Sequence, residues 1–99
     1  MTDPRNGDAF LVVTRDEGLI AGECAASLYV DGTHVADLRN SEQVRVFVKV
    51  GKHLVGVRAN KGCFGGSDQV DVEVAQDQPT LLRIEVALPD GWKIRPSAF

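Results

Sequence analysis

The amino-acid sequence predicts an all-β domain, an antiparallel two-sheet sandwich of about seven strands. Fourteen valines stand against one methionine, and β-branched side chains lose rotamer freedom in a helix but pack well on a pleated surface. Short segments alternate apolar and polar residues with a period of two, and none keeps a helical period. Ten glycines and four prolines are scattered between these segments as turn residues and form no low-complexity tract.

The opening Met1 to Asp8 is polar and rich in breakers. Residues 1–9 therefore read as a disordered lead or an appended remnant, and a single domain over residues 10–99 is expected. The first strand is Phe10 to Thr14. A hairpin follows from Ser27 to Val30 and Thr33 to Ala36, because Asp31-Gly32 supplies the positive φ angles of a type I′ turn; Leu28 should oppose Val35. Next, Val44, Val46, Val48 and Val50 share one face and Arg45, Phe47 and Lys49 the other. With Gly51-Lys52 as a two-residue turn, the return strand His53 to Ala59 should pair Val48 with Val55, Val46 with Val57 and Phe47 with Gly56. A third hairpin joins Val70–Val74 to Thr80–Val86 through residues 75–79, setting Val72 against Leu82 and Asp71 against Arg83. Two sheets with their valine faces together resemble immunoglobulin-like or prealbumin-like sandwiches in architecture. The strand from Phe10 and the one near Val35 are the expected edges.

Eleven basic and 14 acidic residues give a formal charge of −3, without the concentrated basic footprint of a nucleic-acid binder. No run of eighteen apolar residues exists to form a membrane-spanning helix. The two cysteines and two histidines, Cys24, His34, His53 and Cys63, lack the close pairing of zinc ligands, so no metal or other cofactor is expected. No Gly-x-Ser-x-Gly elbow occurs. Asp16 with Glu17, and Asp68 with Asp71, read as solvated charges, and no catalytic residue is assigned.

Three features remain. Cys24 and Cys63 each sit at a strand end, and either form a disulfide or are separate small or free thiols; Cys63, with Lys61 and glycines beside it, is then a candidate nucleophile. The expected hairpin register sets Arg45 opposite Arg58 with Lys49 on the same face. Like charges so placed are destabilising unless an anion lies between them, so this is a candidate anion or partner site, against the plainer reading of solvated guanidinium groups. Trp92 either packs over an open sandwich end or offers an aromatic anchor to a partner.

The segment Leu28-Tyr29-Val30-Asp31-Gly32-Thr33-His34-Val35, with Val44 to Val50 and then Gly51-Lys52-His53 leading a further alternating strand, resembles PEGA-like domains and related bacterial envelope lipoprotein domains. A proline-glycine turn is usual where this chain has Val50-Gly51-Lys52-His53. The resemblance implies a periplasmic, outer-membrane or surface β-sandwich with no catalytic residues to carry over, compatible with an upstream lipid anchor and, at the cell surface, accessible to antibodies. It also favours the Cys24–Cys63 disulfide. Partners would then be a protein, a glycan or another envelope component. The competing expectations are a thiol-active protein using Cys63, which a cytoplasmic location would suit, and a spacer domain without a ligand.

Overall fold

In a computed structural model of the chain, residues 5, 7–16, 24–60, 63, 66–87 and 91–97 are described. They form eight strands and no α-helix: β1 (Ala9–Arg15), β2 (Ala26–Val30), β3 (Thr33–Leu38), β4 (Gln43–Val48), β5 (Gly51–Ala59), β6 (Ser67–Val74), β7 (Thr80–Ala87) and β8 (Gly91–Pro96). The first sheet has the order β4-β1-β7-β8 and the second β3-β2-β5-β6. The two-sheet sandwich is as expected, with eight strands in place of about seven. β1 starts one residue before Phe10. One pairing departs from the antiparallel rule, since β1 and β7 run parallel, with Val13 beside Leu82. In an immunoglobulin sandwich the first strand pairs with the second; here they lie in opposite sheets, so the strand order departs from the immunoglobulin one.

The inward rows come directly from the alternation. Leu11 and Val13 of β1, Leu28 and Val30 of β2, Val46 and Val48 of β4, Val55 and Val57 of β5, Val72 and Val74 of β6, Leu82 and Ile84 of β7, and Trp92 and Ile94 of β8 meet in one buried cluster. Apart from the Trp92 indole these are branched aliphatic side chains that fill the space between the sheets, and their burial is the main favourable term in folding.

Of the three expected hairpins, one forms. Asp31 and Gly32 have φ angles of 51° and 84°, as a type I′ turn requires, and Val30 faces Thr33. The register then slips between Leu28 and Tyr29, so that Leu28 opposes Ala36 and not Val35. A β-bulge on β3 absorbs the extra residue.

The other two are arches that carry the chain from one sheet to the other. β4 pairs with β1, placing Phe47 opposite Phe10 and Arg45 opposite Val12. β5 pairs with β2 and β6, placing Gly56 between Tyr29 and Gln69. Alternating valines look the same in both cases: in a hairpin the apolar rows lie side by side, in an arch they face each other across the core. Val50 marks the difference. A hairpin would hold it in the core row, whereas it is 51% exposed where the chain crosses. Likewise β6 and β7 lie in different sheets, so Asp71 opposes Leu54 and Arg83 is ion-paired to Asp16 at 2.8 Å. A short turn closed by an Ala75–Gln78 bridge precedes the crossing at Pro79.

Cys24 and Cys63 are joined in a disulfide with their Cα atoms 6.1 Å apart. It reinforces the β2–β5 ladder where that ladder ends, beside the Asn60 N–H donating to the Ala25 carbonyl at 3.1 Å. Structural disulfides persist in oxidising, non-cytoplasmic environments. Among the described residues no helix is long and apolar enough to cross a membrane.

Candidate interaction site

The arches separate the cations that the sequence reading had grouped. Arg45 lies in the first sheet, its guanidinium 4.9 Å above the Phe10 ring. Arg58 lies in the second, 5.2 Å above Tyr29, between Ser27 and Ser67 in the ladder. The Arg45–Arg58 anion site is therefore corrected, because the two residues are not cross-strand neighbours. Lys49 stays on the Arg45 side, just past the end of β4. Trp92 is also corrected as a partner anchor: at 1% exposure it belongs to the core. Residues 88–90 before it and the Lys61, Gly62 and Gly65 surroundings of Cys63 fall outside the described residues. Cys63 itself is disulfide-bonded and offers no thiol in this state.

The outer face of the second sheet carries a hollow. Tyr29 of β2, Gly56 and Arg58 of β5, and Asp68 and Gln69 of β6 line a groove of about 330 Å³. Strand alternation turns Tyr29, Arg58 and Gln69 outward, while the absent side chain of Gly56 lowers the floor between Tyr29 and Gln69. Packing does not impose that glycine. A Cβ there would meet the Asp68 carbonyl at 3.5 Å and Gln69 Cβ at 3.8 Å, both ordinary contacts. Strand-interior glycines occur at bulges, at tight bends and where a ligand or another backbone approaches closely, and the register through Gly56 shows no bulge. Cation–π contact with Tyr29 holds the Arg58 guanidinium in place at the groove wall.

A second hollow lies beyond the Tyr29–Arg58 pair, lined by Ser27, His34, Asp37 and Asn60. Serine, histidine and aspartate meet here, but in the wrong order for a nucleophile. Ser27 Oγ donates to Asp37 Oδ1 at 2.8 Å and accepts from Asn60 Nδ2 at 3.3 Å, while His34 Nε2 lies 2.8 Å from the same carboxylate oxygen. The carboxylate stands between the other two, so the imidazole does not face the hydroxyl it would have to deprotonate. Hydrogen bonds from His34, then from Ser27, hold the Asp37 carboxyl below its usual pKa. Among the described residues no group of three or more His, Cys, Asp or Glu side chains converges to hold a metal.

His53 lies near the start of β5 and joins two connections at one end of the sandwich. Its Nδ1 lies 2.6 Å from Asp31 Oδ2 and its Nε2 2.7 Å from the Lys49 carbonyl, and Asp31 Oδ1 accepts from the Leu54 N–H at 2.9 Å. One imidazole thus ties the β2–β3 turn to the β4–β5 arch. Both ring nitrogens face acceptors, so both bonds form only in the imidazolium. Burial alone would lower the His53 pKa; the bonds to Asp31 and to the Lys49 carbonyl outweigh it and raise the value. A raised folded pKa means that the folded state holds the proton more tightly than the unfolded chain. This contribution to stability is complete below the unfolded value of about 6.5 and is lost as pH rises through the higher folded value. The denaturation midpoint should accordingly fall from pH 6 to pH 8 by more in the parent protein than in His53→Gln. Parallel profiles for the two would show that the imidazolium is not what ties the turns.

Arg15 is the residue that sequence reasoning missed. It continues the inward row of Ala9, Leu11 and Val13 and is 1% exposed. Its guanidinium donates to the Cys24 carbonyl and, at 2.8 Å, to the Leu38 carbonyl, and lies 4.6 Å above the Trp92 ring. Burial lowers its pKa. Extending the alternation one step past Val13 would have placed it inside.

Comparison with family models, with curated proteins and with solved structures found no match to this chain.

Proposed function

We propose that the protein is a non-catalytic, extracytoplasmic interaction domain of the bacterial envelope, which recognises a protein or glycan partner through the groove at Gly56. The observation that carries this reading is the groove itself: a strand glycine not demanded by packing, between an outward tyrosine, a fixed arginine and an amide. Aromatic, guanidinium and amide groups together suit the mixed apolar and hydrogen-bonding surface of a sugar ring or a protein side chain. The disulfide supports a compartment outside the cytoplasm, and the resemblance to PEGA-like domains supports the envelope.

Titrating the isotopically labelled protein with soluble peptidoglycan fragments, and separately with detergent-solubilised envelope proteins from the native host, tests the reading. Amide shifts should cluster at Tyr29, Gly56, Arg58 and Gln69. Gly56→Val, which fills the floor with a side chain favoured in strands, should weaken binding about tenfold or more, the loss expected when a partner is displaced from a central contact, while leaving the thermal midpoint within a few degrees of the parent. Shifts confined to another face, or Gly56→Val binding as well as the parent, would remove the groove from the proposal.

A further inference from the structure

An open sheet edge is a template for pairing, and this sandwich has four: β4 and β8 in the first sheet, β3 and β6 in the second. The backbone directions follow from the hydrogen bonds that flank each ladder. The Arg15 N–H donates to the Glu42 carbonyl at 2.9 Å, so in the β1–β4 ladder Val13–Val44, Leu11–Val46 and Ala9–Val48 are the mutually bonded pairs. Gln43, Arg45 and Phe47 therefore direct their N–H and carbonyl groups away from the sheet. The even-numbered β1 residues turn to β7 instead, in agreement with the Asp16 N–H donating to the Ile84 carbonyl at 2.8 Å.

Three edges are obstructed. On β8, the outward Ile94 N–H is taken by Asp68 Oδ2 at 3.0 Å, and Pro96 has no N–H to offer. β3 is broken by its bulge. β6 packs along β8 and bears the carboxylates of Asp71 and Glu73. β4 touches β3 across the sandwich, but its register is continuous over six residues, and it contains no proline, bulge or acidic residue. One end is closed, where His53 Nε2 takes the Lys49 carbonyl at 2.7 Å. The outer-face side chains along this edge are Gln43, Arg45, Phe47 and Lys49. In a chain of net charge −3, neither Arg45 nor Lys49 has a carboxylate of the described residues within ion-pair distance.

We propose that β4 is a docking edge for an extended peptide segment of a partner, whose side chains alternate between apolar and acidic. Its backbone would bond to Gln43, Arg45 and Phe47, its apolar side chains would extend the row of Val44, Val46 and Val48, and its carboxylates would face Arg45 and Lys49. Pairing with β4 of a second copy is disfavoured, because the register that overlaps all three outward residues sets Arg45 against Arg45. The edge lies on the opposite sheet from the Gly56 groove and does not depend on it.

The test uses a blocked synthetic peptide of alternating valine and glutamate, its valine–lysine counterpart, and a valine–glutamate peptide N-methylated on the amides of one edge. The valine–glutamate peptide should shift the amides of Gln43, Arg45 and Phe47, the valine–lysine peptide should bind about tenfold more weakly, and the methylated peptide about a hundredfold or more, since like charges cost roughly one factor of ten and the lost strand bonds several such terms together. Arg45→Pro removes an outward N–H without touching the β1 ladder, as proline on an edge strand can, and should abolish binding. Arg45→Glu should reverse the preference between the two charged peptides. The proposal fails if the methylated peptide binds as well as its parent, if no peptide shifts the β4 amides, if the shifts fall on the Gly56 face, or if the protein alone self-associates and Arg45→Pro prevents it, which would make a second copy the occupant.

Discussion

Replacing Cys24 and Cys63 together by serine should lower the free energy of unfolding by about 4 kcal/mol, from the chain-entropy relation for a bridge of this span. The cysteines are separated by 39 residues, so the bridge removes many conformations from the unfolded chain while adding only one bond to a ladder that already exists. Domains of this size are stable by roughly 5 to 15 kcal/mol, and each kcal/mol moves the midpoint by about 4–8 °C. A fall of about 15–30 °C is therefore expected, and reducing the parent protein should give much the same fall. A loss below about 1 kcal/mol would mean that the unfolded chain is already held together there by other means. The same scan bears on the thiol reading of Cys63: a protein that keeps its fold and gains a reactive, acidic thiol on reduction would reopen that alternative.

The second large effect is expected at Arg15. Arg15→Ala should destabilise by about 3–5 kcal/mol, the range for removing one partner from a buried charged arrangement. Two carbonyls, those of Cys24 and Leu38, lose a donor, and the Trp92 ring loses the group stacked on it. Arg15→Met separates these terms: it restores volume against Trp92 but no hydrogen bond, and should recover part of the loss and not all of it. Because Arg15 bonds the carbonyl of the residue that forms the disulfide, the Arg15 and cysteine substitutions should not be additive. An Arg15→Ala cost under about 1 kcal/mol would show that water replaces the guanidinium without penalty. Each end of the sandwich is thus held by a cation, Arg15 between two backbone carbonyls at one and His53 between a carboxylate and a carbonyl at the other, but only the second is sensitive to pH near neutrality.

Residue alternation identified nearly every inward position, and the Asp31-Gly32 turn was legible because its two φ angles restrict which residues can occupy it. Connectivity was not legible. Val44 to Val48 and Val55 to Val57 alternate identically whether they pair with each other or face each other, and the choice is made by β1 and β2, which are distant in sequence. That one ambiguity also created the supposed meeting of Arg45 with Arg58. Of the groove, the expected register sets Gly56 against Phe47 in place of its actual neighbours Tyr29 and Gln69. Cys24 and Cys63 were legible as strand-end residues, although spacing alone left their pairing open. The expected first strand stops at Thr14, one residue short of Arg15, whose long side chain reaches two carbonyls from inside.

The parallel pairing of β1 with β7 governs the order in which the molecule can be built. All four strands of the second sheet, together with both halves of the disulfide, lie between residues 24 and 74, so that sheet can assemble and be locked before the last quarter of the chain exists. The first sheet cannot. Its central strand, β1, is made first and then waits for β4 on one side and for β7, about seventy residues later, on the other. During synthesis or export the Phe10-Leu11-Val12-Val13 segment is consequently the longest-waiting sticky surface in the molecule, and the step most exposed to aggregation is the late capture of the N-terminal strand by the C-terminal hairpin.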